Sequence, residues 1–167
     1  FALDVAEFEN AAAHATNEAE LKQAIALYAG ELLPGCYDDW IYPLREHYQQ
    51  LFVSLLEKLI DHFEQQRDYR AAIRYTQRLL HLDRLNEATV RLLMRLHAAA
   101  NERAGALRVY HDFEKALQQE LEIGPDTATS EFYQRLLHMA ADESAPDPLR
   151  QESWALVGRH TEWNLLR

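Results

Sequence analysis

Hydrophobic residues recur every three or four positions along most of the chain, which is the spacing that places side chains on one face of a helix. The longest such ladder includes Leu44, Tyr48, Leu55, Leu59 and Phe63. Short breaks rich in Gly, Pro, Asn or Asp separate the stretches. The pattern therefore predicts an all-α fold, with seven helices at about residues 4–15, 18–29, 40–66, 68–82, 86–100, 102–122 and 126–141.

Part of this pattern repeats after 34 residues. The order small, large apolar, basic occurs in Ala72-Ile73-Arg74 and again in Ala106-Leu107-Arg108. Such a period is typical of tetratricopeptide arrays, in which small residues let neighbouring helices pack closely. Ala24-Ile25 gives a third, degenerate copy, 48 residues before Ala72. We therefore expect a tetratricopeptide-like array of three antiparallel helix pairs, with Ala72 and Ala106 at helix contacts.

Residues at the breaks indicate where individual helices begin and end. Asp4 and Asn17 are expected to cap the first two helices, because their side chains accept hydrogen bonds from free backbone amides. Gly30 is expected to lie just after the second helix, where a left-handed backbone conformation is common. Asp38 or Asp39 is expected to cap the longest helix in the same way as Asn17.

Acidic residues are concentrated near the start of the chain, whose formal net charge is −10. Residues 1–67 carry 12 acidic and 4 basic side chains, whereas residues 68–141 carry 10 of each. Binding to nucleic acid phosphates depends on clustered Lys and Arg, so no direct nucleic acid contact is expected from this chain. Cys36 is the single cysteine, and no apolar run approaches the length needed to cross a membrane.

The candidates for catalysis or metal binding are isolated side chains. None of the eight histidines lies in an H-E-x-x-H pattern or pairs with another histidine at helical spacing. Glu57 and Asp61 share one helix face, which a solvated surface explains without acid–base chemistry. Ser54 has no triad order around it. The sequence therefore predicts no enzyme, no metal site and no cofactor.

Arginines form two stripes at helical spacing on consecutive predicted helices. One reading is that they form salt bridges within the chain, to its acidic first third. The other is that they form a basic strip that docks an acidic segment of a partner or of a second protomer. The candidate docking residues are Arg70, Arg74, Arg78, Arg91 and Arg95.

Three aromatic residues cluster around the Pro34-Gly35 turn: Tyr37, Trp40 and Tyr42. In one reading they form a lid that packs the turn onto the first helix pair. In the other they are an exposed hot spot for a protein partner.

The amino-acid composition changes after residue 141. Residues 142–153 are polar and rich in proline, which predicts a linker. Residues 154–167 contain a short apolar run, and we expect a piece too small to form its own core.

Three motifs together resemble the bacterial transcriptional activator domain of SARP-type and STAND-type regulators. Residues 28–40 read Tyr-x-Gly-x-Leu-Leu-Pro-Gly-x-Tyr-Asp-Asp-Trp and are followed by Arg45. Residues 91–99 read Arg-Leu-Leu-Met-Arg-Leu-His-Ala-Ala. The third motif is Ala-Leu-Arg-x-Tyr at residues 106–110. The resemblance covers roughly residues 1–141.

The resemblance implies a cytoplasmic, non-catalytic regulatory module that follows a winged helix-turn-helix DNA-binding domain, and the absence of an initiator Met at Phe1 agrees with such an upstream domain. The implied partners are flanking domains of the regulator, a second protomer or the transcription machinery, with no membrane. Residues 154–167 resemble the opening of a STAND nucleotide-binding domain, truncated before any phosphate-binding loop. An alternative function is sensing of a small molecule bound between helix pairs.

Overall fold

The structure, a computed structural model, describes the backbone of residues 5–143 and the side chains of residues 5–139. Over this range it consists of α-helices and loops, and each of the first five helices packs against the next in chain order. The predicted all-α, tetratricopeptide-like fold is confirmed. The helices are α1 (Val5–His14), α2 (Glu18–Leu27), α3 (Ile41–Gln65), α4 (Tyr69–Leu82), α5 (Glu87–Ala99), α6 (Arg103–Glu120) and α7 (Thr127–Glu143).

Two hydrophobic clusters hold residues 5–136 together. The first is centred on α3, whose Phe52, Leu56 and Leu59 are inaccessible or nearly so, and it includes buried residues of α1, α2, α4 and α5. The second lies between α5, α6 and the first part of α7, where Tyr110 stacks on Tyr133 with ring centroids 4.0 Å apart. The amphipathic spacing seen in the sequence thus corresponds to real buried faces.

The 34-residue period extends from the sequence to the backbone. Arg67 and Asn101 end α3 and α5 in the same left-handed conformation, with φ of 60° and 59°. In both turns the next amide bonds back into the helix, from Asp68 to the Phe63 carbonyl at 2.9 Å and from Glu102 to the His97 carbonyl at 2.8 Å. These are the bonds of a Schellman-type helix end. Ala72 and Ala106, the predicted contact residues, are both fully buried.

Helix caps agree with the sequence at Asn17 and disagree at the start of α3. Asn17 Oδ1 accepts a hydrogen bond from the Glu20 amide at 3.0 Å and forms a capping box with Glu20. The prediction that Asp38 or Asp39 caps α3 is wrong: the N-cap residue is Trp40, and it makes no side-chain capping bond. The backbone closes this turn instead, because the Ile41 amide donates to the Asp38 carbonyl at 3.0 Å.

The second helix ends two residues before the predicted position. Tyr28 leaves the helical conformation with ψ of 89°, and its ring stacks on Phe52 with centroids 4.2 Å apart. Gly30, with φ of 139°, lies within the following loop and does not immediately end the helix. The non-helical backbone at Tyr28 lets its ring stack on α3, and this contact favours the earlier helix end.

The chain divides into two compact units after Leu136. Of the second unit the structure describes only the end of α7, which continues to Glu143. The first two residues of the predicted linker are therefore helical. Asp4, the rest of the linker at 144–153 and the predicted start of a nucleotide-binding domain at 154–167 lie outside the described residues.

Candidate interaction surface

Residues 28–40 form the connector between α2 and α3, a loop whose backbone conformation is fixed by hydrogen bonds. The Cys36 amide donates to the Leu33 carbonyl at 3.0 Å and closes a four-residue turn around Pro34 and Gly35. Gly35 has φ of 97°, which a type II turn requires at that position. Burial raises the pKa of the Tyr28 hydroxyl where the connector begins. The connector is thus anchored by an aromatic ring at its start and shaped by a Pro-Gly turn.

Arg45, on the first turns of α3, fixes the connector from the other side. Its Nε donates to the Leu32 carbonyl at 2.9 Å, and its Nη2 donates to the carbonyls of Leu33 at 2.7 Å and Cys36 at 2.9 Å. Its Nη1 lies 3.0 Å from a carboxylate oxygen of Glu31. The side chain is only 12% exposed. One guanidinium therefore satisfies three backbone acceptors that a helix or sheet would otherwise have to pair.

The three predicted aromatic residues lie on this connector and at the start of α3, and all are exposed. Tyr37 is 79% exposed, Trp40 56% and Tyr42 49%. Leu33 and Leu44 on the same stretch are also exposed. A lid packed onto the first helix pair would bury these rings, so their exposure fits an interaction surface better. We call Leu33, Tyr37, Trp40, Tyr42 and Leu44 the connector surface.

Some arginines of the two stripes form hydrogen bonds or ion pairs within the chain, and others do not. Arg91 Nη1 donates to Asp126 Oδ2 and to Thr129 Oγ1, both at 2.9 Å. Arg95 Nη2 donates to Glu64 Oε2 at 3.0 Å, a pair to the acidic first third of the kind the sequence suggested. Both guanidinium groups are therefore bonded to side chains of the same chain.

The arginines on α4 behave differently. The guanidinium of Arg78 lies 5.0 Å over the ring of Phe52. Arg70 and Arg74 are exposed and form no hydrogen bond or ion pair with a residue that the structure describes. The five arginines therefore do not form one continuous unpaired strip. A docking role stays a prediction, and of the five it rests on Arg70 and Arg74.

A polar network joins α5 to the start of α7, and the sequence did not reveal it. The Asp126 amide donates to Glu87 Oε1 at 3.0 Å, and Asp126 Oδ1 accepts from the Thr129 amide at 2.6 Å. The buried Thr129 hydroxyl donates to Glu87 Oε2 at 2.5 Å. The Thr129 amide, helped by Arg91, lowers the pKa of Asp126 to about 2. The only sequence signal was the helix start after Pro125.

A groove of about 360 Å³ opens between α4, α5 and α6. Its apolar wall includes Leu80, Val109 and Phe113, and its polar groups include His81 and Arg84. Its size lies at the lower end of the range for small-molecule sites.

The described residues contain no group of three or more His, Cys, Asp or Glu side chains arranged to hold a metal ion. Some of the histidines hydrogen-bond to other side chains, for example His62 to Gln66 and His111 to Tyr133.

None of the described helices is long and apolar enough to cross a membrane.

The fold and the connector surface define a class: a tetratricopeptide-like helical domain that carries exposed aromatic and apolar side chains on one connector. The model of one family, the bacterial transcriptional activator domain, matches residues 3–137. The chain belongs to this family, which is a family of regulatory domains of transcriptional regulators and not of enzymes. No curated protein matches the chain.

Proposed function

We propose that the chain is a non-catalytic regulatory and protein-interaction module of a bacterial transcription regulator. In this proposal it sits next to a winged helix-turn-helix DNA-binding domain and works in the cytoplasm. Its family supports a role in transcriptional regulation. Its interaction role rests on one observation: exposed aromatic side chains, among them Tyr37 and Trp40, are carried by a connector that Arg45 holds in place.

Exposed aromatic rings on one short stretch lose contact with water when a partner covers them, and Trp and Tyr are the residues that most often carry binding energy. A fixed backbone reduces the entropy that would otherwise be lost on binding. The Arg45 bonds to Leu32, Leu33 and Cys36 supply this preorganisation. The partner is a flanking domain, a second protomer or the transcription machinery.

The experiment is a reporter assay with the full regulator. Tyr37→Ser with Trp40→Ser removes the two most exposed aromatic rings of the connector surface. The matched control is Leu121→Ser with Ile123→Ser, which removes two exposed apolar side chains, each 52% exposed, from the α6–α7 loop. Circular dichroism and thermal melting establish that both variants fold.

We expect the connector variant to lose regulated expression and the control to keep it. Normal regulation in the folded connector variant would contradict the proposal.

A second candidate function, sensing of a small molecule, is favoured by the groove between α4, α5 and α6. Its wall is mostly apolar, with His81 and Arg84 as polar groups that could orient a ligand. A thermal-shift screen of nucleotides and metabolites tests this function. A stabilising compound should lose its effect when Val109→Phe fills the groove, and no stabilisation by any compound would count against it.

A further inference from the structure

The connector surface is surrounded by negative charge. Asp38, Asp39 and Glu46 are exposed, and none of them forms an ion pair with a basic residue in the part of the chain that the structure describes. Arg45 is the only Lys or Arg between Lys22 and Lys58. Its guanidinium points into the connector carbonyls and is 12% exposed, so it offers little charge to a partner.

Aromatic rings and carboxylates attract the same kind of group. The face of a Trp or Tyr ring carries partial negative charge and binds Arg or Lys cations that lie over it. Exposed carboxylates next to the ring add ordinary ion pairing. Arg and Lys also have long aliphatic stems that can pack on Leu33 or Leu44. The same charges repel phosphate groups, which argues against nucleic acid as the occupant.

A second copy of this chain is a poorer match for the connector surface than a basic protein. Each copy carries a formal net charge of −10, so two copies repel each other overall. Exposed basic side chains without an ion-pair partner among the described residues do occur, for example Arg70 and Arg74 on α4 and Lys115 on α6. Self-association is therefore tested directly by light scattering.

We infer that the connector surface docks a basic protein surface, one that presents Arg or Lys side chains among apolar ones. This inference rests on the proposed function, because it names the chemistry of the partner at the same surface. Arg or Lys heads lie over Trp40 and Tyr37 and pair with Asp38 and Asp39, while apolar side chains cover Leu33 and Leu44.

The test uses two labelled peptide probes and measures binding by fluorescence anisotropy. One probe is a 12-residue peptide of alternating Arg and Leu, and the other has Glu in place of every Arg. We expect the chain to bind the Arg probe at least tenfold more tightly than the Glu probe, and binding should weaken as salt is raised.

Variants separate docking at this surface from general attraction to an acidic protein. Asp38→Asn with Asp39→Asn should weaken binding of the Arg probe about fivefold, and Trp40→Ser at least tenfold. The matched control is Glu57→Gln with Asp61→Asn, which removes two exposed charges on α3 that have no ion-pair partner among the described residues. This control should weaken binding less than about twofold.

Three results would overturn the inference: equal losses in the two neutralised pairs, equal binding of the two probes, or no binding of the Arg probe. Light scattering adds a fourth, namely self-association of the chain that Trp40→Ser abolishes, since a second copy would then cover the surface.

The reporter assay distinguishes the two proposals. If Asp38→Asn with Asp39→Asn leaves regulation intact while Tyr37→Ser with Trp40→Ser abolishes it, the basic partner is wrong and the interaction role stands.

Discussion

The guanidinium of Arg45 donates a hydrogen bond to the carbonyl oxygen of Leu33 at 2.7 Å, across the base of the connector. Leu33 has φ of 47°, a left-handed conformation that is uncommon for a residue other than glycine. The bond therefore holds a backbone conformation that Leu33 would not favour alone. It also sets the positions of the exposed rings that follow.

Replacing Arg45 should destabilise the chain and loosen the connector. Arg45→Met keeps most of the volume and removes the donors to three carbonyls and the ion pair with Glu31. We expect a loss of about 1–3 kcal/mol in the free energy of unfolding, measured by urea denaturation. Arg70→Met, at an exposed arginine, should change it by less than about 0.5 kcal/mol. Equal stability of the two variants would show that Arg45 does not anchor the connector.

The His97 ring leaves no room for a side chain at Gly105. A Cβ atom at residue 105 would lie 2.6 Å from His97 Nδ1, and the buried ring cannot easily move because Nδ1 also contacts Glu102 at 3.0 Å. Gly105→Ala should gain about 1 kcal/mol in helix propensity and lose more to overpacking. We expect a net loss of about 1–2 kcal/mol in the free energy of unfolding.

Two comparisons check this explanation of Gly105. Gly124→Ala adds a Cβ with no heavy atom within 4 Å beyond those of its chain neighbours, so its effect should stay within about 0.5 kcal/mol. In a His97→Ala background, Gly105→Ala should no longer destabilise. A penalty that persists without the His97 ring would rule out the clash as its cause.

The Asp126 network should make the junction of α5 and α7 sensitive to acid. The pKa of Asp126 is lowered from 3.8 to about 2, so its ionised form is favoured in the folded state. The stability that this supplies is present above pH 4 and is lost as the pH falls from about 4 to about 2. Asp126→Ala should cost about 1 kcal/mol at pH 7, mainly through the lost helix cap.

Thermal melting at pH 7, 5 and 3 measures this pH dependence. The difference between the wild-type chain and Asp126→Ala should be similar at pH 7 and 5 and smaller at pH 3. Asp112→Ala serves as the control, because Asp112 is an exposed carboxylate without a hydrogen bond or ion pair among the described residues. A difference at Asp126 that stays constant down to pH 3 would contradict the role given to its charge.

Helix positions could be predicted from the sequence because they follow from local spacing. Helical spacing from Leu44 to Phe63 marks the buried face of α3, and the repeat of Ala72 at Ala106 marks two close helix contacts. The cap at Asn17 was predictable for the same reason, since its partner Glu20 is three residues away. The N-cap of α3 was not, because backbone closure at Asp38 competes with a side-chain cap and the sequence favours neither.

The candidate site could be predicted in part. The residues Tyr37, Trp40 and Tyr42 follow from the motif around the Pro-Gly turn, but their exposure depends on which side chains the folded chain leaves uncovered. The bonds of Arg91 to Asp126 and Thr129 and the Glu87–Thr129 bond join residues that are 35 to 42 positions apart. No local pattern encodes such pairs, so these contacts emerge only when helices are packed together.

Hydroxyl-radical footprinting of Tyr37 and Trp40 tests the central claim most directly, because it reports whether the connector surface is covered by a partner. The isolated chain is compared with the full regulator in its promoter-bound complex with RNA polymerase. We expect strong oxidation of both rings in the isolated chain and protection of both in the complex, with Ile123 on the α6–α7 loop as the internal reference. Equal oxidation of Tyr37 and Trp40 in the two samples would contradict the claim that this surface binds a partner.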